Sequence, residues 1–127
     1  MTLTEEQEKW LAALESGEYE QAKGCLVHHD GIDRFCCLGV ACTILGVQRK
    51  GVEFLDPESN IGYNLTLPPT TTHQLGLYDD DGAFCDGQEF ESLASMNDSG
   101  RFNFKQIAAF IRANPEMVFV SEEKTGE

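Results

Sequence analysis

The stretch Arg34-Phe35-Cys36-Cys37-Leu38-Gly39-Val40-Ala41-Cys42-Thr43-Ile44-Leu45-Gly46 constrains the fold more than any other part of the sequence. From Phe35 to Leu45 no charge interrupts it. An apolar run of this length is better housed as a buried helix than as a strand. The sequence therefore predicts a central helix over Phe35–Leu45, with Asp33 as N-cap and Gly46 at C′. Gly39 costs such a helix about 1 kcal/mol relative to Ala. Its presence predicts close packing against another backbone.

The flanking segments read as short elements around that helix. Thr2-x-x-Glu5 and Thr4-x-x-Gln7 both fit a capping box. Trp10, Leu11 and Leu14 follow as one apolar stripe, and Gly17 is a stop, which predicts a helix over Glu5–Ser16. Cys25 to His28 has strand character, with a turn at His29-Asp30-Gly31-Ile32. Val47 to Leu55 fits a strand or an edge hairpin. Tyr63 to Leu67 alternates as a half-buried strand, and Pro68-Pro69 ends it. A short helix is expected over Thr70–Leu75, with Pro69 in its first turn and Gly76 closing it. Turns at Asp79-Asp80-Asp81-Gly82 and Asp86-Gly87 frame a small hairpin around Ala83-Phe84-Cys85. Glu89 to Met96 fits a short helix or strand. Asn103-x-x-Gln106 caps a helix whose stripe is Phe104, Ile107, Ala108 and Ile111, ending near Ala113 ahead of Pro115. Met117 to Val120 reads as a terminal strand.

Together these predict an α+β fold, with three to four helices packed on a small, mostly antiparallel sheet. Residues 1–120 form one globular domain, and residues 121–127 a frayed acidic tail. The expected core is Trp10, Leu11, Leu14, Phe35, Leu38, Val40, Leu45, Leu75, Leu77, Phe104, Ile107, Ala108 and Ile111.

Nine Lys and Arg face 22 Asp and Glu, a formal net charge of -13. Binding a nucleic-acid backbone directly needs clustered cations, so it is excluded as the main activity. Residues 51–100 hold ten acids and no Lys or Arg. That half is a solvated surface or an anionic face for a basic partner. No apolar run reaches the roughly 18 residues of a membrane span, and no cationic start precedes an apolar stretch. The expectation is a soluble cytoplasmic protein without a membrane partner.

Five cysteines, Cys25, Cys36, Cys37, Cys42 and Cys85, stand without a secretion signal, which predicts reduced thiols. Cys36 and Cys37 fall near a helix N-terminus, where a thiol pKa is lowered, and His28 could serve as base. A cysteine-dependent hydrolase on Cys36, Cys37 and His28 is therefore one reading. Burial of the thiols in the core is the other. Cys25-x-x-His28 with Cys36, Cys37 and Cys42 lacks the spacing of paired zinc ligands. Asp79-Asp80-Asp81-Gly82 does not fit a calcium loop, and no phosphate-loop pattern occurs. No metal and no cofactor are expected.

Several segments resemble a group of small proteins encoded by tailed phages and prophages. They begin with Trp10-Leu11-x-Ala13-Leu14-x-Ser16-Gly17-x-Tyr19-x-Gln21-x-x-Gly24. Arg34-Phe35-Cys36-Cys37-Leu38-Gly39-Val40-x-Cys42 follows, and its Cys-Cys-Leu-Gly-Val part is the most specific. Leu67-Pro68-Pro69, Leu75-Gly76-Leu77, Met96-Asn97-Asp98 and Phe104-x-x-Ile107-Ala108-x-x-Ile111-x-x-x-Pro115-Glu116 complete the match. It spans Trp10 to Phe119. The chain departs from the group at His28-His29-Asp30-Gly31. The resemblance implies a phage or prophage origin and brings no fold, activity or ligand.

Phage origin and the acidic half lead to one expectation. The chain is expected to be a phage accessory protein that binds and modulates or inhibits a host protein with a basic surface, a defence protein among the candidate targets. Tyr78, Asp79, Asp80, Asp81, Phe84, Asp86, Glu89, Phe90 and Glu91 are the candidate contact residues, acids for steering and aromatics as anchors. Two alternatives stand beside it: the cysteine hydrolase, and a protein that sequesters a nucleotide signal. The latter would draw on Arg34, Arg49, Lys50, Arg101, Lys105 and Arg112. Lys9, Lys23 and Lys124 sit in terminal or exposed settings.

Overall fold

The central apolar run does form a helix, but it starts two residues later than the sequence predicts. Residues 32–35 are drawn into a strand instead. A computed structural model describes residues 2–84 and 91–120. In chain order the elements begin with α1 (Glu5–Glu15), β1 (Glu20–Gln21), β2 (Val27–Asp30), β3 (Ile32–Phe35) and α2 (Cys37–Ile44). They continue with β4 (Arg49–Lys50), β5 (Glu53–Leu55), β6 (Gly62–Tyr63), α3 (Pro69–Leu75), α4 (Leu93–Asp98), α5 (Phe104–Ala113) and α6 (Pro115–Val118).

β3 is the middle strand of the first sheet. It pairs parallel to β1 and antiparallel to β2, with Val27 opposite Phe35 and Asp30 opposite Ile32. Gly31 alone joins β2 to β3 at φ +79°, a conformation that costs glycine little. Pairing on both edges holds Asp33 and Phe35 extended, so Asp33 does not cap α2. Cys36 takes that position, and its Sγ accepts from the Gly39 N–H at 3.4 Å. Cys37, Leu38, Gly39, Val40, Ala41 and Cys42 are all buried. α2 is thus covered all round over these six residues, and only Thr43 near its end is exposed. Gly39 packs as its presence predicts: a Cβ there would collide with the Leu26 carbonyl and fall 2.8 Å from its carbon.

α1 carries the expected capping box between Thr4 and Gln7. It lays Trp10, Leu11 and Leu14 against α2 and α5, and the Trp10 indole N–H donates to the Cys37 carbonyl at 2.9 Å. Arg112 of α5 reaches Glu15 at 2.6 Å and Glu8 at 3.1 Å, clamping the two helices at the surface. Every expected core residue is buried except Leu45, which is half-buried. Leu26, Phe54, Leu67, Leu93, Val118 and Phe119 join them.

The sheet is divided into two of three strands each, in the orders β1-β3-β2 and β4-β5-β6. The predicted strand over Tyr63–Leu67 leaves the second sheet after Tyr63. Asn64 turns it away: its carbonyl accepts from Leu26, and its amide donates to the Val27 and Val52 carbonyls. This residue ties the two sheets together and leaves Leu65 70% exposed. The predicted terminal strand is also corrected. Pro115 stands at the first position of α6, where its fixed φ favours a helical start, and only Phe119 pairs, with Leu77. The short helices α3, α4 and α6 raise the helix count among the described residues to six. The class remains α+β. No described helix is long and apolar enough to cross a membrane.

Candidate functional site

The Asp79-Asp80-Asp81-Gly82 segment forms the turn its composition demands, and the turn organises a pocket. The Asp79 carboxylate accepts from the backbone of Asp81 at 3.0 Å and of Ala83 at 2.9 Å, as a side chain closing its own turn does. The Asp80 carbonyl accepts from Leu67, the Asp81 carbonyl from Ala94, and the Gly82 carbonyl from Leu93. The first residues of α4 are thereby docked on the turn, and the Ser92 hydroxyl caps that helix through the Ser95 N–H. Asp79 is a structural group, Asp80 points to solvent and Asp81 is half-buried.

Asp81 faces a concavity of about 460 Å3 between this turn, α4, the Gly24-Cys25 loop and the start of α2. Asp98 lines the opposite side, where its carboxylate accepts from the Gly24 N–H at 2.9 Å. Ser95 and Ser99 add hydroxyls, Leu38 and Ala94 apolar wall, and the exposed Leu65 a rim. Asp81 and Asp98 are the charged groups among its described lining residues. Burial, and then the negative charges of Asp80, Asp79 and Asp98, push the Asp81 carboxyl above the usual range. The charged lining of the hollow is thus anionic.

The other predicted contact residues are dispersed. Tyr78 is exposed at 39%, and its hydroxyl lies 3.4 Å from the Glu116 carbonyl. Glu91 is exposed. The Phe84 ring packs on Phe110 at 5.2 Å and so belongs to the margin of the core. Asp86, Glu89 and Phe90 lie outside the described residues. Asp56, one of the ten acids, is buried. It accepts from Glu58, Ser59 and Thr70 backbone N–H groups and from the Thr70 hydroxyl. These bonds, Thr70 foremost, hold its carboxyl down at about 2. Asp98, Leu65 and the serines of α4 enter the pocket without a local sequence signal.

The described thiols do not gather into a reactive set, and Cys85 lies outside the described residues. Cys36, Cys37 and Cys42 are buried and free, and Cys25 is half-buried and free. Burial pushes the Cys36 thiol up to about 12, against the smaller opposing effect of the Gly39 and Leu38 N–H groups. It pushes Cys37 and Cys42 well up too, and Cys25 upward with help from Asp98. The expected lowering at a helix N-terminus is outweighed by desolvation. His28 is exposed on β2, opposite Arg34. Among the described residues no group of three or more His, Cys, Asp or Glu could hold a metal ion.

Several candidate cations are engaged by acids. Arg112 is held by Glu8 and Glu15, and Arg49 by Asp33 at 3.0 Å. His29 Nδ1 lies 2.8 Å from the other Asp33 oxygen, and these two partners, His29 first, lower the Asp33 pKa. Arg101 and Lys23 line a second concavity.

These features define a small α+β domain with an anionic surface pocket. The chain belongs to the family described as Domain of unknown function (DUF8296), whose model matches residues 3–115. No curated protein and no solved structure matches it.

Proposed function

We propose that this chain is a phage accessory protein that binds and modulates a host protein in the host cytoplasm, taking a basic side chain of that partner into the pocket between Asp81 and Asp98. One observation carries the reading: a concavity of about 460 Å3 whose charged lining is carboxylate on both sides. The charge of a lysine or arginine there counters the burial and the repulsion that raise the Asp81 pKa, and its aliphatic stem covers Leu65 at the rim. Asp80 and Glu91, both exposed, extend the negative field and steer encounter. Each exposed pair contributes about 0–1 kcal/mol, so apolar contact with Leu65 and Tyr78 must supply the rest. The phage origin rests on the resemblance carried by Cys36-Cys37-Leu38-Gly39-Val40.

The test is capture from host lysate, comparing the native chain with Asp81→Asn/Asp98→Asn. A basic protein retained by the former and lost by the latter supports the reading. Equal capture by both, or an acidic partner, sinks it.

A further inference from the structure

Three side chains from three strands meet outside the acidic pocket. His29 of β2 stands directly opposite Asp33 of β3. Opposite residues of an antiparallel pair share one face, with Cβ atoms about 4.5–5.5 Å apart. The imidazole Nδ1 lies 2.8 Å from Asp33 Oδ1, and Arg49 of β4 holds Asp33 Oδ2 at 3.0 Å. The carboxylate is therefore fixed from both sheets, and the imidazole is fixed by the carboxylate.

These contacts decide which ring nitrogen can react. His29 and then Arg49 keep Asp33 ionised, and an ionised carboxylate only accepts hydrogen bonds. The proton must therefore sit on Nδ1. In the neutral ring Nε2 keeps its lone pair, and no described residue bonds to it. The His29 side chain is 60% exposed, close to the Gly31 tip of the hairpin. A nucleophile on a hairpin end is open to a donor presented by another molecule. The other histidines lack this arrangement. His28 is exposed on the opposite face of β2, across from the cation Arg34. His73 is exposed on α3, and no described carboxylate engages it. Arg49 has N–H groups beyond the one given to Asp33, and these are charge-assisted donors for phosphoryl oxygens. That favours a phosphoryl group over an uncharged electrophile.

We propose that His29 Nε2 accepts a phosphoryl group from a donor with a phosphorus–nitrogen bond, such as a phosphorylated imidazole of another protein. The Nε2 lone pair attacks phosphorus, the Nε2–P bond forms, and the donor's P–N bond breaks. With phosphoramidate as donor, ammonia leaves with the bonding pair and the three protons its nitrogen already carries. Nothing is oxidised or reduced. The ring keeps its Nδ1 proton and becomes a cation, which the Asp33 carboxylate stabilises.

The test is incubation of the full chain with phosphoramidate near neutral pH, with the adduct mapped by mass spectrometry. His29 is expected to be labelled about tenfold or more faster than His28 and His73, the value of one charge-assisted hydrogen bond. Exposure cannot produce that difference, since all three are exposed. Nitrogen NMR should place the phosphorus on Nε2. Asp33→Asn keeps the shape and removes the charge, and should bring His29 down to the rate of His28. Thermal melts confirm that the variant folds. Arg49→Gln, a change on the other sheet, should slow His29 by a smaller factor. Equal rates at the three histidines overturn the proposal. So does labelling of His29 at Nδ1, or an undiminished rate in Asp33→Asn.

Discussion

Gly39 of α2 lies against the Leu26 backbone with no space for a side-chain carbon, so the central helix and the start of β2 are in direct backbone contact. Cys36 reinforces the junction by donating its N–H to the same Leu26 carbonyl at 3.2 Å. Gly39→Ala gains about 1 kcal/mol of helix propensity, but it forces apart two backbones that cannot yield by a rotamer change. Overpacking costs about 1–3 kcal/mol and more in rigid settings. We expect a net loss of about 2 kcal/mol, read as a lower urea midpoint at unchanged slope. A variant as stable as the native chain would refute the account of this contact.

Protection of the cysteines follows from burial of α2. In the native protein a disulfide reagent at mildly alkaline pH should leave Cys36, Cys37 and Cys42 unlabelled and react slowly with Cys25. Unfolding should release them all. Rapid native labelling of Cys36 or Cys37 would instead favour the cysteine-hydrolase reading. The raised pKa values also predict a pH dependence. The folded state keeps these thiols protonated, whereas unfolded cysteines ionise from about 8.5. Stability is therefore full below that pH and declines as pH rises toward the folded value of about 12 for Cys36.

How much of this was legible in the sequence depends on whether the cause was local. The stripes of α1 and α5 were, because Trp10, Leu14, Ile107 and Ile111 repeat at helical spacing and capping boxes mark both starts. Gly39 announced its own contact, because glycine within an apolar helix needs a reason. Asp33 misled, since its cap chemistry is satisfied only if β3 ends earlier. Pairing on both sides of β3 is a long-range fact that no local pattern encodes. The strand beyond Tyr63 failed for the same reason, as Asn64 bonds to Val27 and Val52 rather than to its neighbours. The acidity of the candidate site was visible in the composition. Its geometry was not, because Asp98 meets Asp81 only once α4 docks on the turn. Lys23 read as an exposed cation and is exposed, its ammonium lying beside Gly100.

Asp56 ties the turn after β5 to the first turn of α3 through four hydrogen bonds. Asp56→Asn keeps one acceptor oxygen but removes the charge and leaves an amide facing N–H donors. It should lower the melting temperature at neutral pH by several degrees, the usual consequence of breaking a buried hydrogen-bond network. The sign with pH is fixed by the depressed pKa. The contribution of this carboxylate is complete above its unfolded value of about 3.9, and it is lost as pH falls through the folded value of about 2. Melts at neutral pH and at two acid points should show the native and variant curves converging as the acid strengthens. A constant gap would show that shape, not charge, is responsible.

The Asp81 carboxylate runs the opposite way. Burial and the charges of Asp80, Asp79 and Asp98 disfavour its ionised form, and no described residue donates to it. With its pKa raised on folding, its stabilising contribution is present below the unfolded value of about 3.9 and is lost as pH rises through the folded value. At neutral pH the charge therefore costs stability. Asp81→Asn should make the isolated protein more stable by about 0.5–1 kcal/mol, the size of a partly exposed charge interaction, and the gain should vanish in acid. The same substitution should slow association with a basic partner, more so at low salt than at high. A group retained against stability is what a binding pocket requires, because its repulsion is relieved only when the cation arrives. If Asp81→Asn destabilises the free protein, the carboxylate is a structural acceptor and the pocket loses its reason to bind a cation.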